Sequence, residues 1–202
     1  MANICKFKMI VSGNPGATDM FYQILLNTNY YKETHLFRIS DAKIINVEYF
    51  DEIKEFDKTL YIEGACAWSV FSCMFPGNGT YYKDWIDANK DKPEIAKLGT
   101  NLLELSKDLN LHISVFGEES GIGLCELYGI VNGECIYDKV GEFIYVDISN
   151  YKTFKDFAKE QDNFHLISKR IENEFNKAKS SGLSAIHVPE IEETTIYPIH
   201  FR

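Results

Sequence analysis

Residues 123–140, which read GLCELYGIVNGECIYDKV, decide the fold class because they predict a β-hairpin. Asn132-Gly133 is a dipeptide that type I′ turns favour, since both central residues of such a turn adopt positive φ. The residues on either side are rich in β-branched and aromatic side chains, as strands are. The sequence therefore predicts two antiparallel strands that meet at Asn132 and Gly133.

Period-two patterns predict further strands on both sides of this hairpin. They cover residues 3–13, 42–53, 58–66, 111–120 and 142–148. Helical spacing predicts a helix over residues 17–26, capped by Thr18 or Asp19, and another over residues 92–111. Residues 66–74 form a short apolar run that fits either a helix or an extended chain.

The character of the sequence changes after residue 148. The charged segment 153–182 carries an apolar stripe at helical spacing, formed by Phe154, Phe157, Phe164, Ile167, Ile171 and Phe175. We expect Asp162-Asn163 to divide it into two helices and Ser180-Ser181-Gly182 to end it. Pro189 and Pro198 exclude the tail from a central strand.

This order of elements predicts an α+β protein in two parts. Residues 1–148 are expected to form a domain with an antiparallel sheet and helices on one face. Residues 149–202 are expected to form a helical extension and tail packed on that domain.

The charge balance bears on the class of partner. The chain of 202 residues has 30 acidic and 21 basic residues, so its formal net charge is −9. Because non-specific affinity for nucleic acid comes mainly from Lys and Arg, this balance favours docking on a basic protein surface. No run approaches 18 apolar residues, and the alternating N-terminus predicts a strand rather than an export signal. We therefore expect a cytoplasmic protein.

The cysteines raise the question of a chemical site. The chain has five, Cys5, Cys66, Cys73, Cys125 and Cys135, and no C-x-x-C motif, which predicts free thiols. Within EGACAWSVFSCM, residues 63–74, Cys66 and Cys73 could bind a metal, act as a nucleophile or pack in the core. Their spacing is too wide for a zinc knuckle and the histidines are scattered, so the pattern favours core packing. We predict no metal, cofactor or catalytic residue.

A glycine-rich segment at residues 117–123, GEESGIG, superficially suggests a phosphate-binding loop. A strand follows it rather than a helix, and Glu118 and Glu119 would repel a phosphate, so a turn between strands is favoured. The alternative is an acidic rim, formed by Glu118, Glu119 and Glu126, for a cation or a basic partner.

Three blocks of the sequence resemble the YubB ferredoxin-like, or Api92-like, family of phage and plasmid proteins. They are MANICKFKMIVSG, YIEGACAWSVFSCM and LHISVFGEESGIGLCELYGIVNGECI, and together they span about residues 1–148. The motif positions are Asn3, Ser12, Gly13, Gly64, Trp68, Ser69, Glu118, Glu119, Gly121, Gly123, Asn132, Gly133 and Glu134. The sequence departs from the family pattern at Ser120, where Pro is usual, and at Leu124, where an aromatic residue is usual.

The resemblance implies a split β-α-β ferredoxin-like fold and an origin in a mobile genetic element, and it carries over no catalytic residue. We predict a non-enzymatic protein that binds a host protein with a basic surface. In its most specific form it inhibits a nucleic-acid-processing defence complex such as a CRISPR nuclease. The predicted acidic contacts are Glu118, Glu119, Asp51, Glu52 and Glu55, and a homodimer is left open.

A binder of single-stranded nucleic acid is the alternative. It would stack bases on aromatic side chains of the ferredoxin-like sheet, as RNA-recognition sheets do. The candidates are Tyr61, Phe116, Tyr128 and Tyr145. The sequence does not assign them to a sheet face, because a slip of one residue in register reverses the face.

Overall fold

Seven strands build an antiparallel sheet in the computed structural model, which describes residues 4–30, 39–50, 57–67, 69–75, 101–160 and 169–190. The strands are β1 (Ile4–Gly13), β2 (Ile39–Phe50), β3 (Asp57–Ala67), β4 (His112–Glu119), β5 (Leu124–Val131), β6 (Glu134–Asp147) and β7 (Ala185–Pro189). Their order across the sheet is β2-β3-β1-β4-β5-β6-β7, and every neighbouring pair is antiparallel. The predicted α+β class with an antiparallel sheet is confirmed.

Five helices accompany the sheet in the described residues. They are α1 (Pro15–Tyr30), α2 (Val70–Met74), α3 (Leu102–Asp108), α4 (Phe154–Lys159) and α5 (Lys169–Ser180). None of the helices in these segments has the length and apolar character that a membrane span needs.

The main core lies between the sheet and helices α1, α2 and α3. Alternate residues of β1, among them Phe7, Met9 and Val11, point into it and are almost fully buried. Because successive side chains of a strand point to opposite faces, Lys6 and Lys8 lie on the other side. We call the side covered by α1–α3 the helix face and the side that carries Lys6 and Lys8 the open face.

A second core joins helices α4 and α5 to the sheet. Phe157 of α4, Ile171 and Phe175 of α5 and Val188 of β7 are buried together. Strand β6 connects the two parts, because residues 134–142 pair with β5 and residues 143–147 pair with β7. The C-terminal part therefore adds a strand to the sheet as well as two helices, and β7 occupies an edge.

The hairpin that predicts the fold class is confirmed. Asn132 and Gly133 have φ values of 49° and 84°, which are the positive values that a type I′ turn requires. Gly182, with φ 72°, follows α5 as expected. Directly after this glycine, the Leu183 N–H donates to the Ala178 carbonyl at 2.9 Å. This hydrogen bond closes the C-terminal end of the helix.

Two local predictions are wrong. Residues 134–140 and 142–148 do not form two strands, because one strand runs through Gly141. The side chains of Cys125 and Glu190 pack closely against Gly141, where a larger residue would meet them. Helix α1 begins at Pro15 rather than after Thr18 or Asp19. The Asn14 side chain accepts the Gly16 N–H at 2.9 Å and so caps it, and Pro15 suits the first position.

Some predictions lie outside the described residues. They include residues 92–100 of the helix predicted over residues 92–111, the division at Asp162-Asn163, and Asn3, Trp68, Phe164, Ile167 and Pro198. The described remainder of that helix is shorter than predicted, because Asn101 is extended and caps a helix that covers only Leu102–Asp108.

Candidate functional site

A charged cavity of about 500 Å³ lies on the open face of the sheet. Strands β1, β2, β3 and β4 line it together with α5, and Ala65 and Phe116 contribute apolar surface. The basic residues of its lining are Lys6, Lys8, Lys43 and Arg170, and the acidic residues are Asp41, Glu63, Glu118 and Glu174. We call this space the open-face cavity.

Strand register brings these charges together from distant parts of the sequence. Lys6 lies opposite Ala65 on one side and Glu118 on the other, and Lys8 lies opposite Glu63 and Phe116. Alternation along β1 places both lysines on the open face, since Phe7 between them belongs to the main core.

Glu63 holds two of the lysines. Its carboxylate lies 3.4 Å from the Lys8 ammonium and 3.8 Å from the Lys43 ammonium. All three side chains are partly exposed to solvent, so the two pairs contribute little to stability. The single Glu63 carboxylate balances only one of the two lysine charges.

The opposite wall of the cavity is an ion pair between the two parts of the chain. Arg170 of α5 donates to the carboxylate of Glu118 on β4 at 2.7 Å, and the two side chains are 29% and 20% exposed. Asp41 and Glu174 have no ion-pair partner within the described residues, and Lys6 has none there either.

A second cavity, of about 690 Å³, meets the first at this wall. Both are lined by Lys6, Glu118, Arg170 and Glu174. The second cavity continues towards the β4–β5 turn and β7, where Phe143 and His187 contribute to its lining. The Arg170–Glu118 pair therefore stands between two halves of a longer depression.

The predicted acidic contacts have different surroundings. Glu118 lines both cavities, whereas Glu119 points to the other face and is only 3% exposed. The Glu119 carboxylate accepts the N–H groups of Gly121 and Ile122 at 2.9 and 2.8 Å, so it closes the β4–β5 turn. A partner would therefore meet Glu118 rather than Glu119. Asp51, Glu52 and Glu55 lie outside the described residues, so those contacts stay predictions.

The glycines of the predicted structural motif have local explanations. Gly123 has φ 73°, which favours glycine, and a Cβ on Gly121 would lie 2.7 Å from the Glu119 carboxylate. A Cβ on Gly64 would lie 2.4 Å from both the Asp41 carbonyl oxygen and the Phe7 ring. These residues allow close approach of neighbouring groups and form part of the scaffold.

Ser69 and Glu126 fix the short helix α2 on the helix face. The Ser69 hydroxyl accepts the Ser72 N–H at 3.0 Å and caps the helix. Glu126, which the sequence suggests as part of an acidic rim, is instead buried, and its carboxylate accepts the N–H of Val70 at 2.8 Å. Burial raises the pKa of the Glu126 carboxyl, although hydrogen bonds to it act in the opposite direction. The rim prediction is wrong for this residue, whose partners are distant in sequence.

Three cysteines form a buried group between the sheet and α2. Cys5 and Cys66 lie directly opposite each other on β1 and β3, and Cys73 donates to the Ala67 carbonyl. Hydrogen bonds with the Cys5 and Cys73 thiols, together with burial, raise the pKa of the Cys66 thiol. A high pKa keeps a thiol protonated and unreactive, so the group belongs to the core, as predicted for Cys66 and Cys73.

The four candidate aromatic residues do not form one stacking surface. Tyr128 packs on the helix face against Phe75, with ring centroids 4.6 Å apart, and Phe116 is buried on the open face. Tyr61 donates its hydroxyl to Glu48 at 2.8 Å, and burial and this bond raise its pKa to about 12. Tyr145 is exposed, but it lies on the part of β6 that pairs with β7.

Within the ranges that the structure describes, no three His, Cys, Asp or Glu side chains are grouped so that they could hold a metal ion. Comparisons of the chain with models of protein families, with curated proteins and with solved structures found no match.

Proposed function

We propose that this is a non-enzymatic protein that binds a basic surface of a nucleic-acid-handling protein. In its most specific form it is a phage- or plasmid-encoded inhibitor of a host defence complex such as a CRISPR nuclease. Proteins of that class expose basic grooves for phosphate backbones, and an acidic protein can occupy such a groove.

The distribution of charge along the chain carries this proposal. Residues 1–148 contain 22 acidic and 13 basic residues, whereas residues 149–202 contain eight of each. The whole net charge of −9 therefore belongs to the first part. Opposite charge on a partner would steer its encounter with this part of the chain.

The topology of the first four strands supports the ferredoxin-like part of the proposal. Strands β4-β1-β3-β2 are neighbours in that order and antiparallel, with α1 between β1 and β2 in sequence. A split β-α-β arrangement has this order. Strands β5, β6 and β7 would then be an extension on the β4 side.

The open-face cavity is the place at which we expect part of the partner to bind. Asp41 and Glu174 are exposed there without an ion-pair partner in the described part of the chain, and Glu118 is close to both cavities. Asp51, Glu52 and Glu55 would add contacts in the segment that follows β2.

Affinity capture tests the function. The tagged full-length protein is incubated at low salt with a nuclease-treated bacterial lysate, and retained proteins are identified by mass spectrometry. We expect a nucleic-acid-handling protein whose retention falls as salt rises, and whose nucleic-acid cleavage or binding is inhibited by the purified protein. Retention of no such protein, or retention without any inhibition, would overturn the proposal.

A further inference from the structure

We propose that the open-face cavity receives an arginine side chain of a basic peptide segment, and that this guanidinium takes the place of Arg170 at Glu118. The inference rests on the proposed function, because it names the chemistry that the same surface would recognise in its partner. Arg170 is then an internal competitor that occupies the site until a partner displaces it.

Glu118 already holds a ligand of this chemical class. Its carboxylate accepts from the Arg170 guanidinium at 2.7 Å, in a position where both side chains are largely shielded from water. Charge-assisted hydrogen bonds of this type are stronger than those between neutral groups. A guanidinium that arrives from outside can make the same contact.

Arg170 can leave Glu118 while α5 stays in place. The helix is anchored through Ile171, Phe175 and Ala178, which are buried in the second core. Arg170 is the second residue of the helix and is not part of that core. Glu174 follows Arg170 by four residues and lines the same cavity. Opposite charges at this spacing lie side by side on a helix, so Glu174 offers the displaced Arg170 a new partner.

The depression has room for a peptide segment rather than for one side chain. The two cavities, of about 500 and 690 Å³, meet at Lys6, Glu118, Arg170 and Glu174. Movement of the Arg170 side chain towards Glu174 would join them. Lys8 and Lys43 share the Glu63 carboxylate, and Asp41 in the same lining supplies the second negative charge that balances them. Lys6 is exposed and can turn to solvent, so the remaining lysines do not block a basic ligand.

Fluorescence anisotropy with labelled hexa-arginine and the full-length protein at low salt tests this exchange. Arg170→Gln removes the competitor and is expected to tighten binding about two- to fivefold, because an ion pair near the surface contributes about 1 kcal/mol or less. Lys169→Gln makes the same change of charge at the neighbouring position of α5 and is expected to have a smaller effect. Glu118→Gln is expected to weaken binding about tenfold, and Glu172→Gln much less.

A double variant separates displacement from a general charge effect. In the Glu118→Gln background, Arg170→Gln is expected to have no more effect than Lys169→Gln, since there is no contact left to release. Thermal unfolding followed by circular dichroism checks each variant. If Arg170→Gln unfolds, Arg170→Lys keeps the charge without the planar fork and is expected to tighten binding by a smaller factor.

Three results would overturn the inference. They are equal affinities of Arg170→Gln and Lys169→Gln, equal affinities of Glu118→Gln and Glu172→Gln, or additive effects in the double variant. Failure of the proposed function is distinguishable, because lysate capture would then retain no nucleic-acid-handling protein while the hexa-arginine affinities still shift in opposite directions.

Discussion

The carboxylate of Glu126 accepts the backbone N–H of Val70 at 2.8 Å, across 56 residues of sequence. The Tyr128 hydroxyl donates to the same carboxylate at 3.2 Å. Helix α2, capped by Ser69, is thereby fixed to strand β5 on the helix face. The carboxylate is buried, so its contribution to stability depends on its protonation state.

Glu126→Gln should change how stability depends on pH. Burial raises the pKa of Glu126, so the native state keeps this proton to a higher pH than the unfolded state does. The stability that the protonated group provides is complete below the unfolded pKa, near 4.3, and is lost as the pH rises through the native pKa. We expect the free energy of urea unfolding of the native protein to fall relative to Glu126→Gln over that interval.

Glu134→Gln, at an exposed position on β6, is the control for this measurement. Parallel pH profiles for the native protein and Glu126→Gln would contradict the account of the buried carboxyl. A free energy of unfolding of the native protein that rises relative to that of Glu126→Gln as the pH increases would contradict it as well.

Gly129 should tolerate no side chain, because the ring of Tyr137 covers it. A Cβ there would lie 2.0 Å from that ring, and the Tyr137 hydroxyl is held by Ser114 at 3.0 Å. We expect Gly129→Ala to lower the free energy of unfolding by about 1–3 kcal/mol or more. Gly16→Ala is the matched control, since it lies exposed in the first turn of α1 with room for a methyl group. It should raise stability by up to about 1 kcal/mol, and equal effects of the two changes would contradict this packing.

Cys135 should be the thiol that reacts in the folded protein. Of the five cysteines it alone is exposed, whereas Cys5, Cys66, Cys73 and Cys125 are buried. Burial of part of the side chain and the nearby Asp138 carboxylate raise the pKa of Cys135, so its reaction should be no faster than that of a peptide thiol. Timed alkylation at neutral pH, followed by mass spectrometry, should show one labelled site. In the Cys135→Ser variant, all the remaining cysteines should be labelled slowly. Rapid reaction of a second cysteine would contradict the buried assignment.

The hairpin and the alternating strands could be predicted from sequence because their signals are local. Asn132-Gly133 specifies its turn, and the alternation in β1 specifies which side chains are buried. The single long strand β6 could not be predicted in the same way. In the sequence, Gly141 indicates a break between two strands. The fold gives the other reason for a glycine, since Cys125 and Glu190 pack against this position.

The candidate site depends on contacts that no local pattern contains. Glu118 and Glu119 are adjacent in sequence, but alternation along β4 places their side chains on opposite faces. Glu118 lines the open-face cavity, and Glu119 accepts a hydrogen bond from Gly121 in the β4–β5 turn. The partner of Glu118 is Arg170, 52 residues later, in a helix whose mixed charges are typical of a solvent-exposed surface. Strand register and the packing of α5 decide the site, and neither can be derived from residue spacing alone.

Two charge-reversal variants in the lysate capture test the central claim most directly. Asp41→Lys with Glu174→Lys changes the open-face cavity, and Glu134→Lys with Glu172→Lys makes the same change of net charge at exposed positions outside it. We predict that the native protein and the Glu134/Glu172 variant retain the same nucleic-acid-handling protein, and that the Asp41/Glu174 variant loses it. Equal retention by the two variants, or no such protein with the native chain, would contradict the account.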